Sequence, residues 1–354
     1  MHQANLKLLQ KACHRFQPDL LYSSTVFYGK LSTQVNIPMI CRSVGNDVLR
    51  PWIVYPFQTF SRILSTRWFE NSLYQMFRRL DYPEPLETIW RKRRYKLMQE
   101  SAKQISLILA NSQFTEGLLS EIGVMDENIE IISGGVDSQR FSISSAKDVG
   151  DFRAQLKIPE DRYIMMTACR MVRKKGVDFL ISSMASLVEK IPNAHLLIVG
   201  SGRHFRKFKR NAQNSPVANH ITFTGSIPHP DIPKYYTIAD VFVLASRIQI
   251  NEATGVRDAE TMGRVLCEAN AAGLPVIASS SGGIPSVITD GINGLLFTPD
   301  DTDSLLNCLL KLREDNDLVL QLQNNGRQMA KEDFDWSVIV EKHEYLFQKI
   351  IAKN

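Results

Sequence analysis

The chain has 354 residues, which is too long for one ordinary domain and predicts two domains of roughly 150–180 residues. Hydrophobic residues make up 44% of the chain and charged residues 22%, and this balance excludes a disordered or fibrous protein. The longest apolar runs, such as Leu196–Val199 and Val241–Ala245, are far shorter than the roughly 18 residues that a membrane-spanning helix needs.

The N-terminus and the cysteines both predict a protein of the reducing cytoplasm. The first residues, from Met1 to Asn5, contain no basic stretch followed by an apolar run, so no secretory signal is expected. The five cysteines are odd in number, scattered and never spaced as CxxC. This pattern argues against a disulfide framework and against a zinc site.

Positive charge is concentrated in the first third of the chain. The net charge is +5 overall, whereas residues 42–103 alone contain 12 basic and 6 acidic side chains, a net of +6. The centre of this segment is the run from Arg91 to Arg94, with Trp90 and Tyr95 beside it. One interpretation is a solvated helix face; the other is a basic rim that contacts the inner face of an anionic membrane, or an anionic acceptor. Nucleic acid is not expected as a partner, because no recognisable binding motif accompanies the patch.

Short, continuous apolar runs alternate with amphipathic segments in both halves of the chain. Such runs are typical of strands buried on both faces, as in parallel sheets. In the first half, strands are predicted at Asp19–Tyr22, Pro38–Cys41, Ile105–Ala110 and Ile129–Ile132. In the second half, they are predicted at Tyr163–Thr167, His195–Val199, Ile221–Phe223, Val241–Leu244, Pro275–Ala278 and Gly294–Phe297. The alternation predicts an α/β fold with two doubly wound, Rossmann-like domains.

The helices and the domain boundary follow from the same pattern. The predicted helices are Leu6–Phe16, Val177–Lys190, Ile232–Ala239, Val265–Ala272 and Trp336–Ile350. The stretch Ser142–Gly150 is rich in small and charged residues, which indicates a boundary there. The predicted organisation is a first domain over 1–145, a second over 146–335, and a closing helix over 336–354 that packs back on the first domain.

Two glutamates flank a helix that is predicted to begin near Gly263. The backbone N–H groups of its first residues, Met262 to Val265, would form an anion site at the positive end of the helix. Glu268 would lie roughly 7 Å further along the axis, where a carboxylate suits a vicinal diol such as ribose. Glu260 would stand on the other side of the anion. The arrangement suits a nucleotide-diphosphate sugar; two solvated glutamates on an ordinary helix are the alternative.

Basic and glycine-containing loops follow two of the predicted strands. Arg170 and Lys175 follow the strand Tyr163–Thr167, and Gly200-Ser201-Gly202 follows the next strand. Open α/β sheets bind ligands at the carboxyl ends of their strands, so the cations would meet the anion there. A dinucleotide-dependent oxidoreductase is excluded, because no GxGxxG motif follows a first strand with an acidic residue about 20 positions on.

In this order and spacing, the sequence resembles the retaining GT-B glycosyltransferases of family GT4. The resemblance covers roughly residues 105–340. Its motifs are the E-x7-E pair Glu260 and Glu268, the segment Arg170–Val177, the segment Ile132–Phe141, and the motifs SGGIP and DGINGLL that begin at Ser281 and Asp290.

The resemblance implies two Rossmann-like domains facing a cleft, and transfer of a hexosyl unit from a UDP- or GDP-sugar to a polysaccharide, lipid-linked or small-molecule acceptor. It implies neither a cofactor nor a metal ion. Arg170 and Lys175 would hold the diphosphate and stabilise it as the leaving group, and Glu260 would hydrogen-bond the donor sugar. The other donor-binding residues that it implies are Gly200, Gly202, Ile227, Met262, Gly263, Arg264, Val265 and Glu268. The pair Asp301 and Asp303 is not a metal motif by this interpretation, and Asp301 is expected to cap the helix Ser304–Lys311.

The first third of the chain departs from the family pattern. Leu6–Phe16 is predicted as a helix and Asp19–Tyr22 as the first strand, so the usual first strand and glycine-rich loop are expected to be missing and the N-terminal domain to be truncated. Residues 42–47 stand where the family commonly has a histidine. A nucleotide-sugar-binding fragment, or a degenerate transferase without activity of its own, is therefore the alternative function.

Overall fold

The structure is a computed structural model that describes residues 2–49, 94–142, 149–251 and 256–353. The chain divides into two units. Unit 1 comprises Met1–Ser133, Ile250–Thr261 and Glu341–Asn354, and unit 2 comprises Gly134–Gln249 and Met262–Val340. The first division thus lies between Ser133 and Gly134, earlier in the chain than the stretch that the sequence indicated. No helix in the described ranges is long and apolar enough to cross a membrane.

Unit 1 is built around a parallel four-stranded sheet in the order β1-β2-β3-β4. Its strands are β1 (Leu21–Ser23), β2 (Met39–Ser43), β3 (Leu107–Ala110) and β4 (Ile129–Ile131). Every residue of β3 is apolar and buried, as a central strand covered on both faces requires. The helices are α1 (His2–Phe16), α2 (Gly29–Val35), α3 (Asn46–Leu49), residues 94–102 and α4 (Gln113–Glu121).

Unit 2 contains a parallel six-stranded sheet in the order β12-β11-β8-β5-β6-β7. Its strands are β5 (Tyr163–Ala168), β6 (Ala194–Val199), β7 (Ile221–Gly225), β8 (Val241–Leu244), β11 (Val276–Ser279) and β12 (Leu295–Phe297). The chain first builds outward from β5 to β6 and β7, and then returns to place β8 on the other side of β5. The strand order therefore reverses between β5 and β8, and such a switch point is where open α/β sheets bind ligands.

Helices cover both faces of the sheet of unit 2, with an apolar core on each side. They are α5 (Ser138–Phe141), α6 (Val149–Gln155), α7 (Val177–Lys190), α8 (Phe205–Gln213), α9 (Pro233–Thr237), α10 (Arg264–Ala272), α11 (Thr302–Glu314) and α12 (Asn316–Glu332). The last helix, α13 (Trp336–Ala352), begins in unit 2 and ends in unit 1.

The predicted α/β class with two parallel sheets is confirmed, and each predicted strand is observed with its ends shifted by a few residues at most. The sequence did not indicate β9 (Gln249–Asn251) and β10 (Val256–Asp258), which pair in a separate two-stranded sheet. Both strands are short and contain polar residues, so they lack the apolar run that marks the other strands. Most of the basic segment 42–103, including residues 91–93, lies outside the described residues.

Candidate functional site

The loop after β5 carries the two cations that the sequence indicated. Arg170 is exposed, and Lys175 is half-buried at the end of a 3-10 turn, Arg173–Lys175. Gly176 follows with a φ of +64° and is the N-cap of α7. A Cβ atom at Gly176 would overlap the carbonyl oxygen of Ala245, which follows β8. Only glycine therefore allows the turn to approach the end of β8 this closely.

Arg247 fixes this turn from the neighbouring loop. Its backbone N–H donates to the carbonyl oxygen of Lys174 at 2.8 Å. Its guanidinium donates to both carboxylate oxygens of Asp178 at 2.6 and 2.7 Å, and to Oδ1 of Asp300 at 2.6 Å. Nη2 contacts both oxygens of Asp178 and Nη1 contacts Asp300, so the guanidinium joins two carboxylates through charge-assisted hydrogen bonds. No local pattern indicated Arg247, because its partners Asp178 and Asp300 lie 69 and 53 residues away along the chain.

The glycines of the loop after β6 serve close backbone packing. Gly200 has a φ of +123°, and a Cβ atom there would overlap the carbonyl oxygen of Cys169. A Cβ atom at Gly202 would lie 2.7 Å from the backbone nitrogen of Met171. The Met171 N–H also donates to the Ser201 carbonyl oxygen at 3.1 Å. The two loops run directly against each other, which explains both glycines; their predicted position beside a nucleotide stays a prediction.

Helix α10 begins where the sequence placed the anion site. Gly263 has a φ of +88° and is the N-cap, and Arg264 is exposed at the first helical position. Met262 is buried, and its Sδ accepts a hydrogen bond from the Gly134 N–H at 3.0 Å. A Cβ atom at Gly263 would lie 3.4 Å from the Leu244 side chain at the end of β8. The tip of α10 and the Arg173–Gly176 turn therefore meet at the carboxyl end of the same strand.

Glu268 is buried inside unit 2, with 6% of its surface exposed. Its Oε2 accepts a hydrogen bond from the Tyr236 hydroxyl at 3.1 Å. Burial raises the pKa of Glu268, while the Tyr236 hydrogen bond and the positive charges of Arg264, His229 and Arg140 oppose that rise. The alternative of a solvated glutamate on an ordinary helix is therefore wrong for Glu268. A carboxyl group held in this way is fixed in position for hydrogen bonds with hydroxyl groups.

Tyr236 holds Glu268 from a fully packed position. Its ring stacks on Phe242 with centroids 5.6 Å apart and meets Phe141 edge-on at 5.5 Å. Burial and the neighbouring Glu268 raise the pKa of Tyr236 well above its usual range, so its hydroxyl stays protonated and donates. Sequence reasoning did not identify this residue, because its partner lies 32 positions away.

We expect Tyr236→Phe to preserve the fold while lowering its stability by about 1–3 kcal/mol, because Oε2 of a buried carboxyl loses its donor. Urea unfolding of the variant and of the parent chain measures the difference. Tyr235→Phe removes a hydroxyl from the neighbouring ring, which packs edge-on against Phe152, and is the control. Equal losses in the two variants would contradict a specific role for the Tyr236 hydroxyl.

The remaining three candidate residues lie in three different places. Val265 is half-buried next to Arg264 in the first turn of α10. Ile227 is half-buried after β7 and packs against the core of unit 2. Glu260 is half-buried in the segment Ile250–Thr261, which belongs to unit 1. Contacts of these three residues with a donor stay predictions.

The predicted helix cap at Asp301 is confirmed. Its carboxylate accepts a hydrogen bond from the Ser304 N–H at 3.0 Å, at the start of α11. Within the residues that the structure describes, no group of three or more His, Cys, Asp or Glu side chains is placed to hold a metal ion.

Comparison with known proteins identifies relatives of this chain. Residues 148–329 match the family model described as "Glycosyl transferases group 1". A GDP-mannose-dependent alpha-(1-6)-phosphatidylinositol monomannoside mannosyltransferase of Mycobacterium tuberculosis is 30% identical over 215 residues, which are 61% of this chain and 54% of the relative. A GDP-mannose-dependent monoacylated alpha-(1-6)-phosphatidylinositol monomannoside mannosyltransferase of Corynebacterium glutamicum is 28% identical, over 71% of this chain and 64% of the relative. The matches to the mycobacterial relatives thus span about half of their length.

Two solved structures share the fold across nearly the whole chain. Anabaena HepE in complex with UDP has a TM-score of 0.74 at 20% identity, and the match covers 97% of this chain and 82% of that one. A glycosyltransferase from Rickettsia africae has a TM-score of 0.64 at 18% identity, and the match covers 95% of this chain and 99% of that one.

Proposed function

This chain belongs to the glycosyl transferases group 1 family, and on that basis we propose that it transfers a hexosyl unit from a UDP- or GDP-sugar to an acceptor, with retention of configuration and without a metal ion. One observation carries the proposal. The basic turn Arg173–Gly176 and the N-terminus of α10 meet at the carboxyl end of β8, beside the point where the strand order reverses. This is the position at which a doubly wound sheet binds a nucleotide.

In the proposed complex, the diphosphate rests on the N-terminus of α10, and Arg170 and Lys175 neutralise it. Each cation at about 4 Å contributes on the order of 4 kcal/mol against the charge of the leaving group at an effective dielectric constant of about 20. Arg247 supports this by fixing the backbone of the Arg173–Lys175 turn. These two cations would therefore take the place of a divalent ion.

Glu268 binds the ribose hydroxyls in this proposal. The carboxyl group is already oriented by Tyr236, so little reorganisation is needed when the ligand arrives. Glu260 would hydrogen-bond the transferred sugar.

The proposed chemistry is a front-face substitution at the anomeric carbon. The bond from that carbon to the diphosphate oxygen breaks, and its electron pair goes to the diphosphate. The acceptor hydroxyl oxygen bonds to the same face of the carbon, and its proton passes to the departing phosphate oxygen. Retention follows because attack and departure share one face of the sugar.

The names of the relatives favour a mannosyl donor and a lipid acceptor. Two of them are described as GDP-mannose-dependent enzymes that act on phosphatidylinositol mannosides, whereas HepE was solved with UDP. We therefore propose a glycan or lipid-linked acceptor. The base of the donor nucleotide, uracil or guanine, is decided by experiment. A thermal-shift screen with UDP, GDP, ADP and their sugars distinguishes them, since a ligand at a hundredfold excess over its dissociation constant stabilises the fold by about 2.7 kcal/mol.

We expect Lys175→Ala to reduce sugar transfer to background and Glu268→Ala to weaken nucleotide binding at least tenfold. The first variant loses the positive charge that stabilises the diphosphate leaving group, and the second loses the carboxyl group that binds the ribose. Transfer assays and calorimetric titration with the nucleotide measure the two effects. Arg173→Ala, which removes an exposed cation from the same turn, is the control.

Unchanged kinetics and binding in both variants would refute the proposed site. Nucleotide binding by the parent chain without transfer or donor hydrolysis would instead support the alternative, a nucleotide-sugar-binding module without activity.

A further inference from the structure

One long segment of unit 2 contains basic residues but no acidic ones. Between Glu189 and Asp231 there is no Asp or Glu, and the segment contains six Lys and Arg side chains, a net of +6 against +5 for the whole chain. Five of the six fall within residues 203–210, in and just before α8. The segment lies outside the basic stretch 42–103, so it is a second and independent concentration of charge.

The structure places these cations on one face of α8. Phe208 and Ala212 are buried on the opposite side of the helix, and Phe205 packs edge-on against Phe223 at 5.9 Å. At 3.6 residues per turn, the other positions point away from the core. Four cations occupy that outward side, and all of them are exposed: Arg206, Lys207, Lys209 and Arg210. We call this set the α8 basic face.

Within the residues that the structure describes, no acidic side chain forms an ion pair with the α8 basic face. Four like charges within fewer than two helical turns repel one another, and an anion that binds there reduces this repulsion.

We propose that the α8 basic face docks the protein on an anionic lipid surface. The cations are spread over a convex helix face, which suits a plane of headgroups better than it suits a single charged group. The two aromatic rings of α8 are buried or half-buried, so they offer no stacking platform of the kind that single-stranded nucleic acid uses. No residue on the outward side of α8 is a large apolar side chain that could insert into the bilayer. Binding is therefore electrostatic and weakens steeply with salt.

The helix α8 begins close to the proposed donor site. The loop that leads into α8, Gly200-Ser201-Gly202, is hydrogen-bonded to the loop of Arg170, so the helix starts at the edge of the sheet where the donor is proposed to bind. A membrane bound there brings a lipid-linked acceptor to that edge. This last step rests on the proposed function, whereas the docking itself does not.

The test is sedimentation with vesicles of phosphatidylcholine alone and of phosphatidylcholine mixed with phosphatidylglycerol, at low and high salt. We expect binding only to the mixed vesicles. Neutralising all four cations of the α8 basic face should weaken binding to the mixed vesicles on the order of 1,000-fold, since each cation near an anionic surface contributes to binding. The variant is Arg206→Gln, Lys207→Gln, Lys209→Gln and Arg210→Gln. The control removes the same number of charges from exposed lysines elsewhere: Lys311→Gln, Lys331→Gln, Lys342→Gln and Lys353→Gln.

Equal losses in the variant and the control, or none in either, would overturn the inference. So would tighter binding of the α8 basic face to single-stranded RNA than to the mixed vesicles. Nucleotide binding without vesicles separates this inference from the proposed function. The variant should retain the thermal shift of the parent chain, and if the parent chain shows none while vesicle binding still depends on α8, the proposed function fails and the docking surface stands.

Discussion

Gly176→Ala should destabilise unit 2 by about 3–5 kcal/mol. The φ of +64° at this position costs an L-residue about 1–2 kcal/mol. In addition, the new Cβ overlaps the Ala245 carbonyl oxygen, which is backbone and cannot turn away as a side chain would. The turn and the loop after β8 must then move apart, and the packing between them is lost. Urea unfolding measures the loss, and nucleotide binding is expected to weaken with it because the turn carries Lys175.

Gly225→Ala separates backbone strain from steric overlap. Gly225 has a φ of +77°, yet a Cβ atom there would have no heavy atom within 4 Å in the described part of the chain. This variant should lose only the strain, about 1–2 kcal/mol. If both variants lost the same free energy of unfolding, the close approach of the turn to β8 would contribute nothing to the cost of Gly176→Ala.

Acid should destabilise the protein through His195 at the amino end of β6. Its side chain is buried, with Nε2 2.9 Å from Oγ1 of Thr222. Burial, together with the positive charges of Arg162 and His220, lowers the pKa of His195 to about 4 from an ordinary value of 6.5. The folded chain thus holds this ring neutral, whereas the unfolded chain protonates it near pH 6.5. The neutral His195 therefore makes its full contribution to the free energy of unfolding above pH 6.5. That free energy falls by about 3 kcal/mol as the pH drops from 6.5 to 4.

Denaturant unfolding across that pH range compares the parent chain with His195→Gln. The variant retains a polar side chain but cannot take up the proton, so its free energy of unfolding should fall less steeply. His14→Gln removes an exposed histidine and should keep the slope of the parent chain. A parent chain whose stability is flat between pH 6.5 and 4 would contradict the buried neutral histidine.

Much of the fold could be predicted because buried parallel strands have a local signature. The helix α7 was predicted at its observed bounds, since an apolar stripe and a terminal Pro192 mark it without reference to other elements. By contrast, β9 and β10 are short and partly polar, and only their pairing with each other makes them strands.

The candidate site was predicted only in part, because some of its residues have a local sequence signature and others do not. Local motifs indicated Gly263 and Glu268; in the structure Gly263 is the N-cap of α10, and Glu268 lies on that helix. Tyr236 and Arg247 have no local signature, because each acts through a partner that is distant in sequence.

By itself, the sequence determined the class of the fold, the order of its elements and the motifs that identify the family. Those properties depend on hydrophobic period and on turn residues, which act over a few positions. Only the tertiary structure decided that Glu268 is buried and held by Tyr236, that Gly200 and Gly202 accommodate a neighbouring backbone, and that four cations share one uncovered face of α8. The burial of a side chain, the close approach of two backbones and the charges that surround a residue all depend on which distant segments meet in space. A local sequence pattern does not reveal those contacts.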